Sequence, residues 1–258
     1  MSDEINIEVK GPIAWIRLNR PEHLNSLTNS MLKEITESLS VLAADKENRV
    51  IILTGNGRGF CAGTDLTDFN NLGSSEDDID LLFLDLLSST FNSIRSFKNP
   101  IICGLNGVTV AGGLELAMCC DFIISADNAM IGDVHSKYGV FPAAGGTALL
   151  PKYVGLNNAK YMLFTGETYS AQRLLEMGLV QEVVENNKLE SRLEELAENI
   201  CQKSKIGISK MKNMANRSII LSNKDALELE LKIAKDHCRT DDMREGLKAF
   251  IEKREPKF

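Results

Sequence analysis

The sequence predicts an α/β core followed by a helical C-terminal region. Up to about residue 185, short apolar runs typical of strands alternate with amphipathic segments typical of helices. Two Asn-Gly pairs, Asn56–Gly57 and Asn106–Gly107, lie 50 residues apart, and each follows a β-rich run and precedes a glycine-rich segment. Beyond residue 185 the sequence shows no further strand signals. We therefore expect a core over residues 1–185 and a helical region over residues 186–258.

Turn and cap residues mark the first elements of the core. Alternating apolar residues predict a hairpin over residues 5–18, with its turn at Gly11–Pro12. A helix follows, which Thr28 or Asn29 can cap. Val50–Thr54 then has the composition of a short buried strand, and it ends in a glycine-rich loop.

The middle of the core repeats the alternation of helix and strand. The acidic, polar stretch Ser74–Asp80 is predicted to form a loop. A helix with apolar residues three and four apart comes next and ends at Asn99–Pro100, because the residue before a proline disfavours helical geometry. Further strands are predicted at residues 100–105 and 122–126.

The C-terminal region is predicted to contain four helices. They span residues 189–204, 207–222, 224–238 and 241–253. Their apolar stripes need a surface to cover, which is either the core or a neighbouring subunit.

The composition excludes several classes of protein. The 258 residues include 29 Lys and Arg against 36 Asp and Glu, a net charge of −7, and 43% are hydrophobic. This composition is typical of a globular protein, and the length allows one or two domains. The acidic balance argues against a nucleic-acid partner, because phosphate backbones are bound by clusters of Lys and Arg.

The cysteines and the apolar segments favour a cytoplasmic protein that does not span a membrane. The six cysteines lack CxxC spacing and several lie in apolar runs, which favours reduced, buried thiols over disulfides or a zinc site. The opening residues, MSDEINIEVK, lack the basic and apolar regions of a signal peptide. The most apolar tract, Ile101–Cys120, contains Asn106 and Glu115, so we expect it at the centre of a soluble protein.

Two glycine-rich segments can bring backbone N–H groups to a ligand. The first, GFCAGTD over residues 59–65, lets the backbone approach a ligand closely, although an ordinary tight turn has the same composition. It matches neither GxGxxG nor the Walker motif, which argues against a dinucleotide site. In the second, AGGLELAM over residues 111–118, two glycines open a helix. Free N–H groups at a helix start suit an anion, or a carbonyl oxygen that becomes one.

Glu115 is the first candidate catalytic residue. Acids are favoured at helix starts in any case. Here, however, the neighbours Leu114 and Leu116 are apolar, which predicts a buried carboxylate. Burial raises the pKa of a carboxyl group toward the range useful for acid–base catalysis.

His135 is the second candidate catalytic residue. It lies in a glycine-flanked loop after an apolar strand, and an extended loop would point Asp133 and His135 the same way. A histidine that only satisfies its own loop is the alternative. The spacing of His and Cys residues gives no metal site, and no GxSxG motif is present. Gly145–Gly146 further on predicts another helix start with additional N–H donors.

Five segments together resemble the enoyl-CoA hydratase/isomerase (crotonase) family. They are GRGFCAGTDL, NGVTVAGGLELAMCCDFIIS, GVFPAAGGTALLPKYVG, FTGETYSAQRLLEMGLVQEVV and EGLKAFIEKREPKF, in this order between residues 5 and 258. The resemblance implies a spiral of ββα units with a helical C-terminal part that mediates trimers, often paired into hexamers. It also implies an acyl-CoA thioester substrate and no separate cofactor, because coenzyme A is part of the substrate.

The resemblance assigns roles to individual residues. The thioester oxygen would be held by the backbone N–H groups of Thr64 and Gly112, which form an oxyanion hole. Contacts to the CoA adenine fall on Ala62, Thr64 and Leu66, and Asp65 lies in the same substrate-binding segment.

Two further residues are assigned to CoA binding from the C-terminal helix. Phe250 and Lys253 would reach the CoA of an adjacent subunit, where a lysine suits the phosphates.

The chain departs from the family pattern at the acid–base positions. Twenty residues after Glu115, where the hydratases have a second glutamate, this chain has His135. An imidazole can also donate or accept a proton. Ala143 and Ala144 occupy the segment where family isomerases keep an acid, which disfavours isomerisation.

We therefore expect hydration of a 2-enoyl-CoA to a 3-hydroxyacyl-CoA. Glu115 would act on water, and His135 would replace the second acid. The alternatives are thioester or C–C hydrolysis, decarboxylation or isomerisation through the same enolate, and a weakly catalytic acyl-CoA-binding homologue.

Overall fold

A computed structural model describes residues 3–66 and 79–258, without the side chains of residues 79–81. The loop predicted at Ser74–Asp80 therefore lies largely outside the described residues. The strands are β1–β10: Ile5–Lys10, Ile13–Leu18, Val50–Gly55, Gly59–Cys61, Ile101–Leu105, Val108–Val110, Phe122–Ala126, Met130–Gly132, Tyr169–Ser170 and Glu182–Val184. The helices are α1–α10: Asn29–Ala44, Ile79–Ser96, Gly112–Ala117, Leu150–Val154, Leu156–Thr165, Ala171–Glu176, Leu189–Cys201, Lys205–Ser218, Asn223–His237 and Asp241–Glu252.

The strands form two sheets that the chain visits alternately. The larger sheet has the order β1-β2-β3-β5-β7-β10, and the smaller has the order β4-β6-β8-β9. In each of the pairs β3–β4, β5–β6 and β7–β8, the first strand joins the larger sheet and the second joins the smaller. Neighbouring strands from different pairs are parallel. The chain thus winds as a spiral, which confirms the predicted α/β class.

The two Asn-Gly pairs mark consecutive turns of this spiral. The side-chain amide of Asn106 donates to the carbonyl oxygens of Gly57 at 3.0 Å and Gly59 at 3.2 Å. Its carbonyl oxygen accepts from the N–H of Gly55 at 3.2 Å. The 50-residue rhythm in the sequence therefore corresponds to a contact between two adjacent turns.

Helices cover both faces of the larger sheet. The apolar face of α1 is buried in the main core together with residues of α2. Thr28 caps α1, as predicted, by accepting from the N–H of Met31 at 3.0 Å. On the other face, α7 packs Leu193 over Trp15 and its neighbours. A Cβ on Gly104 would lie 2.4 Å from Leu193, so the glycine lets α7 approach the sheet.

The C-terminal helices α8–α10 have the predicted positions but bury little within one chain. Each begins at a serine or threonine cap, namely Ser204, Ser222 and Thr240. α9 contains no buried residue. The boundary drawn at residue 185 stays a prediction: strands end at Val184, whereas α7 packs on the sheet of the core. Among the described helices, none combines the length and apolar composition needed to cross a membrane.

Candidate active site

Thr64 and Gly112 lie side by side between β4 and the start of α3. A Cβ on Gly112 would be 3.5 Å from the nitrogen of Thr64, and a Cβ on Gly63 would be 3.0 Å from the nitrogen of Gly112. Neither N–H has a hydrogen-bond partner among the residues that the structure describes. Two unpaired donors therefore occupy one small space, which is the arrangement that a developing oxyanion needs.

An irregular segment over residues 20–27 fixes the loop that carries Thr64. The N–H of Leu27 donates to the carbonyl of Gly63 at 2.7 Å, and the N–H of Asp65 donates to the carbonyl of Leu27 at 2.9 Å. Leu24 and Asn25 both have positive φ angles of 49° and 56°. The buried Asn25 amide donates to the carbonyl of Gly59 at 2.8 Å, so a hydrogen bond stabilises this strained backbone conformation. We call residues 20–27 the brace.

Asp65 is bound to the brace by its side chain as well, and its assignment to substrate binding stays a prediction. Its Oδ2 accepts from the guanidinium of Arg20 at 3.0 Å, and both side chains are about 15% exposed. Arg20 also pairs with Glu4 at 3.1 Å and donates to the carbonyl of Ser26 at 2.7 Å. The carboxylate next to Thr64 therefore ties the loop to the N-terminal hairpin.

The start of α3 is unusually tight. A Cβ on Gly113 would lie 2.0 Å from the carbonyl oxygen of Cys61, so only glycine allows α3 to approach β4 this closely. Ala111, the residue before the helix, has φ 50° and ψ −123°, a conformation that alanine rarely adopts. Such strain is found at functional sites, and here it sets the direction of the N–H of Gly112.

Glu115 is buried in the first turn of α3, with 1% of its surface exposed. Its Oε1 accepts from the N–H of Ala144 at 2.8 Å and from that of Gly146 at 2.7 Å. Oε2 has neither bond. Burial raises the pKa of Glu115 above its ordinary value, although the two N–H donors oppose this rise. The predicted buried carboxylate is thus in place.

His135 lies opposite Glu115, with its Nε2 4.0 Å from Oε2 of Glu115. Its Nδ1 is 2.9 Å from Oδ1 of Asp133. Burial alone would lower the pKa of His135, but the bond to Asp133 and the charges of Asp133 and Glu115 raise it above its ordinary value. The three side chains form a row from Asp133 through His135 to Glu115.

Two expectations for this loop need correction. The chain from Asp133 to His135 is not extended: His135 begins a 3-10 helix, His135–Tyr138, and this turn brings the two side chains together. No helix starts at Gly145–Gly146; α4 begins at Leu150. Gly145 has φ 143°, and the N–H of Gly146 is used by Glu115, so this backbone is a turn that supports the carboxylate.

Sequence reasoning missed three contributors to the site. Asp133 was noted only as a neighbour of His135, and the N–H groups of Ala144 and Gly146 were not linked to Glu115. The glycine pair was the available signal for these donors, since small residues let a backbone approach a buried carboxylate.

The proposed CoA contacts lie in two separate places. Ala62 and Leu66 flank Thr64; the N–H of Ala62 donates to the carbonyl of Leu24 at 2.9 Å, and Leu66 is exposed. Phe250 and Lys253 are exposed at the end of α10, where Phe250 shows 84% of its surface.

The described part of the chain gives less support to a catalytic thiol, to a metal site or to a second pocket as the active site. Burial raises the pKa of the Cys61 thiol to about 12, so this thiol beside the loop remains protonated and is a poor nucleophile. No cluster of three metal-ligating side chains occurs among the described residues. A cavity of about 640 Å³ lies next to the residues that follow α3, and its lining includes Arg95, Cys119, Tyr153 and Lys212. None of the predicted site residues lines it.

Comparisons with known proteins identify this arrangement of fold and site. An enoyl-CoA hydratase from Bacillus anthracis has a similar solved structure, with a TM-score of 0.94, 33% identity and 99% coverage of both chains. The family model for enoyl-CoA hydratase/isomerase matches residues 8–258. The chain therefore belongs to the enoyl-CoA hydratase/isomerase (crotonase) family, which confirms the resemblance.

Two relatives of established name match nearly the whole chain. Crotonyl-CoA hydratase of Syntrophomonas wolfei is 33% identical over 99% of this chain and 98% of its own length. Short-chain-enoyl-CoA hydratase of Clostridium acetobutylicum is 32% identical over 98% of this chain and 96% of its own length.

Proposed function

We propose that this protein adds water to a 2-enoyl-CoA thioester and forms a 3-hydroxyacyl-CoA. The observation that carries the proposal is the pair of N–H groups of Thr64 and Gly112, which are unpaired among the described residues. Gly112 begins the same helix that carries the buried carboxylate of Glu115. The names of the two relatives support hydration, and they do not favour hydrolysis, decarboxylation, isomerisation or a weakly catalytic role.

The two N–H groups would stabilise the enolate. When oxygen adds to C3 of the enoyl group, negative charge moves to the thioester oxygen, and two preorganised donors bind this charge more strongly than the neutral carbonyl. Both donors are held before substrate arrives, Thr64 by the brace and Gly112 by the tight start of α3. Little reorganisation is then needed during the reaction.

Glu115 and His135 would supply the proton transfers. Oε2 of ionised Glu115 takes a proton from water as the water oxygen bonds to C3. Nε2 of protonated His135 then gives its proton to C2 of the enolate, which completes the addition. The two groups face each other across 4.0 Å, so the proton on Glu115 can pass to His135, directly or through one water, and restore the starting state.

The pH dependence follows from the two pKa shifts. Glu115 must be ionised, and burial raises its pKa, so kcat should rise with pH through an acid limb that lies above the ordinary range of a glutamate. His135 must be protonated, and the hydrogen bond to Asp133 and the nearby negative charges raise its pKa, so kcat should fall through an alkaline limb that lies above the ordinary range of a histidine.

The loss of crotonyl-CoA absorbance tests the proposal directly. We expect turnover by the wild-type protein, about a 100-fold lower kcat in His135→Ala, and loss of its alkaline limb. His237→Ala is the control, because His237 lies in the last turn of α9, in the C-terminal region rather than in the site, and should not affect kcat. Release of free CoA thiol without loss of the double bond would instead indicate hydrolysis and overturn the proposal.

We also propose that the chain assembles into trimers, or into dimers of trimers, through α8–α10. The support is the set of exposed apolar side chains on these helices and on the turn between α8 and α9: Met211, Ile219, Ile220, Leu227, Leu231, Leu247 and Ile251. A monomer with so many exposed apolar side chains in one region is unusual. In the trimer, Phe250 and Lys253 would contact the CoA bound by the neighbouring subunit.

Light scattering tests the assembly. We expect a mass of three or six chains for the wild type and a smaller species for Ile220→Asp. Val41→Asp, at an equally exposed position on α1, should keep the wild-type mass. A wild-type mass of one chain would contradict the proposal.

The reaction suggests two further properties. Addition of water transfers no electrons, so we propose that no cofactor is needed beyond the CoA of the substrate. We propose a cytoplasmic location, supported by six free cysteines, because free thiols are usual in reducing compartments.

A further inference from the structure

Asp133 is a buried carboxylate that the proposed reaction does not yet use. It is fully buried, and its Oδ2 has no hydrogen-bond partner among the described side chains and backbone groups. A carboxylate without compensating partners is costly to bury. Within the described part of the chain, its Oδ1 accepts from the backbone N–H of His135 at 3.3 Å and lies 2.9 Å from Nδ1 of the same residue, which suggests that Asp133 acts through the imidazole.

The local backbone determines how the imidazole is held. β8 ends at Gly132, Val134 has φ −104° and ψ 9°, and the 3-10 helix begins at His135. This turn brings Nδ1 of His135 to 2.9 Å from Oδ1 of Asp133. An ionised carboxylate only accepts hydrogen bonds, so we assign the proton of this pair to Nδ1. Nε2 is then the nitrogen that faces Glu115.

We propose that Asp133 is a positioning residue that fixes the orientation of His135 and stabilises its protonated form. The inference rests on the proposed function, in which His135 protonates C2. With Asp133 in place, Nδ1 is occupied and Nε2 alone faces the substrate side. The imidazolium is then flanked by one carboxylate on each side, and the pair formed by His135 and Glu115 can replace a pair of carboxylates.

The charges around His135 support this assignment. Asp133 faces the ring from its own loop, and Glu115 faces it from α3. Lys137 on the same turn is exposed, as are Lys160 and Tyr161 on α5, which packs against that turn. Because burial alone lowers the pKa of His135, its net rise comes from the hydrogen bond to Asp133 and from the charges of Asp133 and Glu115.

Asp133 also contacts the turn that supports Glu115. A Cβ on Gly146 would lie 2.6 Å from Oδ2 of Asp133, and the N–H of Gly146 donates to Glu115. Gly146 thus packs against the carboxylate of Asp133, and its N–H binds the carboxylate of Glu115. The positions of the two acids are therefore coupled through the backbone of Gly146.

Asp133→Asn in the full chain tests the proposal, because asparagine keeps the shape and removes the charge. Histidine ring NMR of the wild type should show His135 protonated at Nδ1, with a titration midpoint above that of a free histidine. The chain has only three histidines, and His135→Gln assigns the signal. In Asp133→Asn we expect this midpoint to fall by at least one pH unit, which is about a tenfold loss of proton affinity.

Kinetics give the second measurement. We expect kcat of Asp133→Asn to fall about 10- to 100-fold with KM nearly unchanged, and the alkaline limb to move to lower pH with the NMR midpoint. Asp127→Asn is the control, because Asp127 lies in the preceding turn and its side chain accepts, among the described residues, the backbone N–H of Asn186. It should match the wild type.

An unchanged midpoint and an unchanged alkaline limb in a folded Asp133→Asn protein would overturn the proposal. Should this variant fail to fold, a wild-type midpoint below that of free histidine would overturn it instead. If the wild type does not hydrate crotonyl-CoA, the proposed function fails. The NMR titration still tests Asp133 in that case.

Discussion

The two walls of the candidate site are built in different ways. One wall, formed by residues 62–65 and 111–113, offers backbone N–H groups, and its side chains serve mainly to hold the backbone. The other wall offers the side chains of Glu115, His135 and Asp133, and its backbone at residues 144–146 serves to hold Glu115. Main chain and side chain therefore exchange roles between the two walls. In the first wall the main chain binds and the side chains support it, and in the second the side chains react and the main chain supports them.

Substitutions can separate these roles, and the largest effect is expected on the side-chain wall. In Glu115→Gln, the amide oxygen can still accept from the N–H groups of Ala144 and Gly146, so the fold should persist. The base at Oε2 is lost. We expect kcat for crotonyl-CoA to fall by about 1000-fold or more, with CoA binding retained, as measured by absorbance and calorimetry. Full activity of Glu115→Gln would show that Glu115 takes no part in the reaction.

A methyl group on the backbone wall should have the next largest effect. In Gly63→Ala, the new Cβ would lie 3.0 Å from the nitrogen of Gly112, and φ at this residue is 96°. We expect about a 100-fold loss of kcat through the oxyanion hole, together with about 1–3 kcal/mol lower stability from backbone strain.

Gly11→Ala is the matched control for this experiment. Gly11 also has a positive φ, 58°, but a Cβ there meets no atom within 4 Å. It should lower the free energy of unfolding and leave kcat unchanged. Equal kcat in the two variants would show that Gly63 has no role beyond its backbone conformation.

The smallest effect is expected at the brace, which acts on the backbone wall from outside. Asp65→Asn removes the half-buried ion pair with Arg20, so we expect about 1–3 kcal/mol lower stability in denaturant unfolding and no more than about a tenfold loss of kcat. Glu176→Gln breaks a pair of the same 3.0 Å length that is half exposed on the surface. That control should change stability by less than about 1 kcal/mol.

The sequence predicted the two walls unevenly, for physical reasons. The backbone wall was predicted because glycines at Gly63, Gly112 and Gly113 leave a direct signal of close approach. Strands alternating with helices predicted the α/β class, whereas the spiral was implied only by the resemblance to the crotonase family. The helix positions in the C-terminal region followed from periodicity and cap residues.

The parts that escaped prediction depend on contacts between distant residues or on unusual conformations. Leu24 and Asn25 have positive φ angles although neither is glycine, so no local sequence pattern predicts the conformation of the brace. Asp133 and His135 meet through a turn, whereas alternation along an extended chain was the pattern considered. The support of Glu115 by Ala144 and Gly146 joins residues about thirty positions apart, which no local pattern encodes.

The two unpaired N–H groups also give the resting protein a recognisable hydrogen-exchange pattern. The amides of Leu27 and Asp65 are hydrogen-bonded across the brace and should exchange slowly with deuterium, whereas those of Thr64 and Gly112 should exchange faster. A bound thioester would slow these two amides selectively. The empty and occupied states could then be distinguished amide by amide, without any chemical turnover.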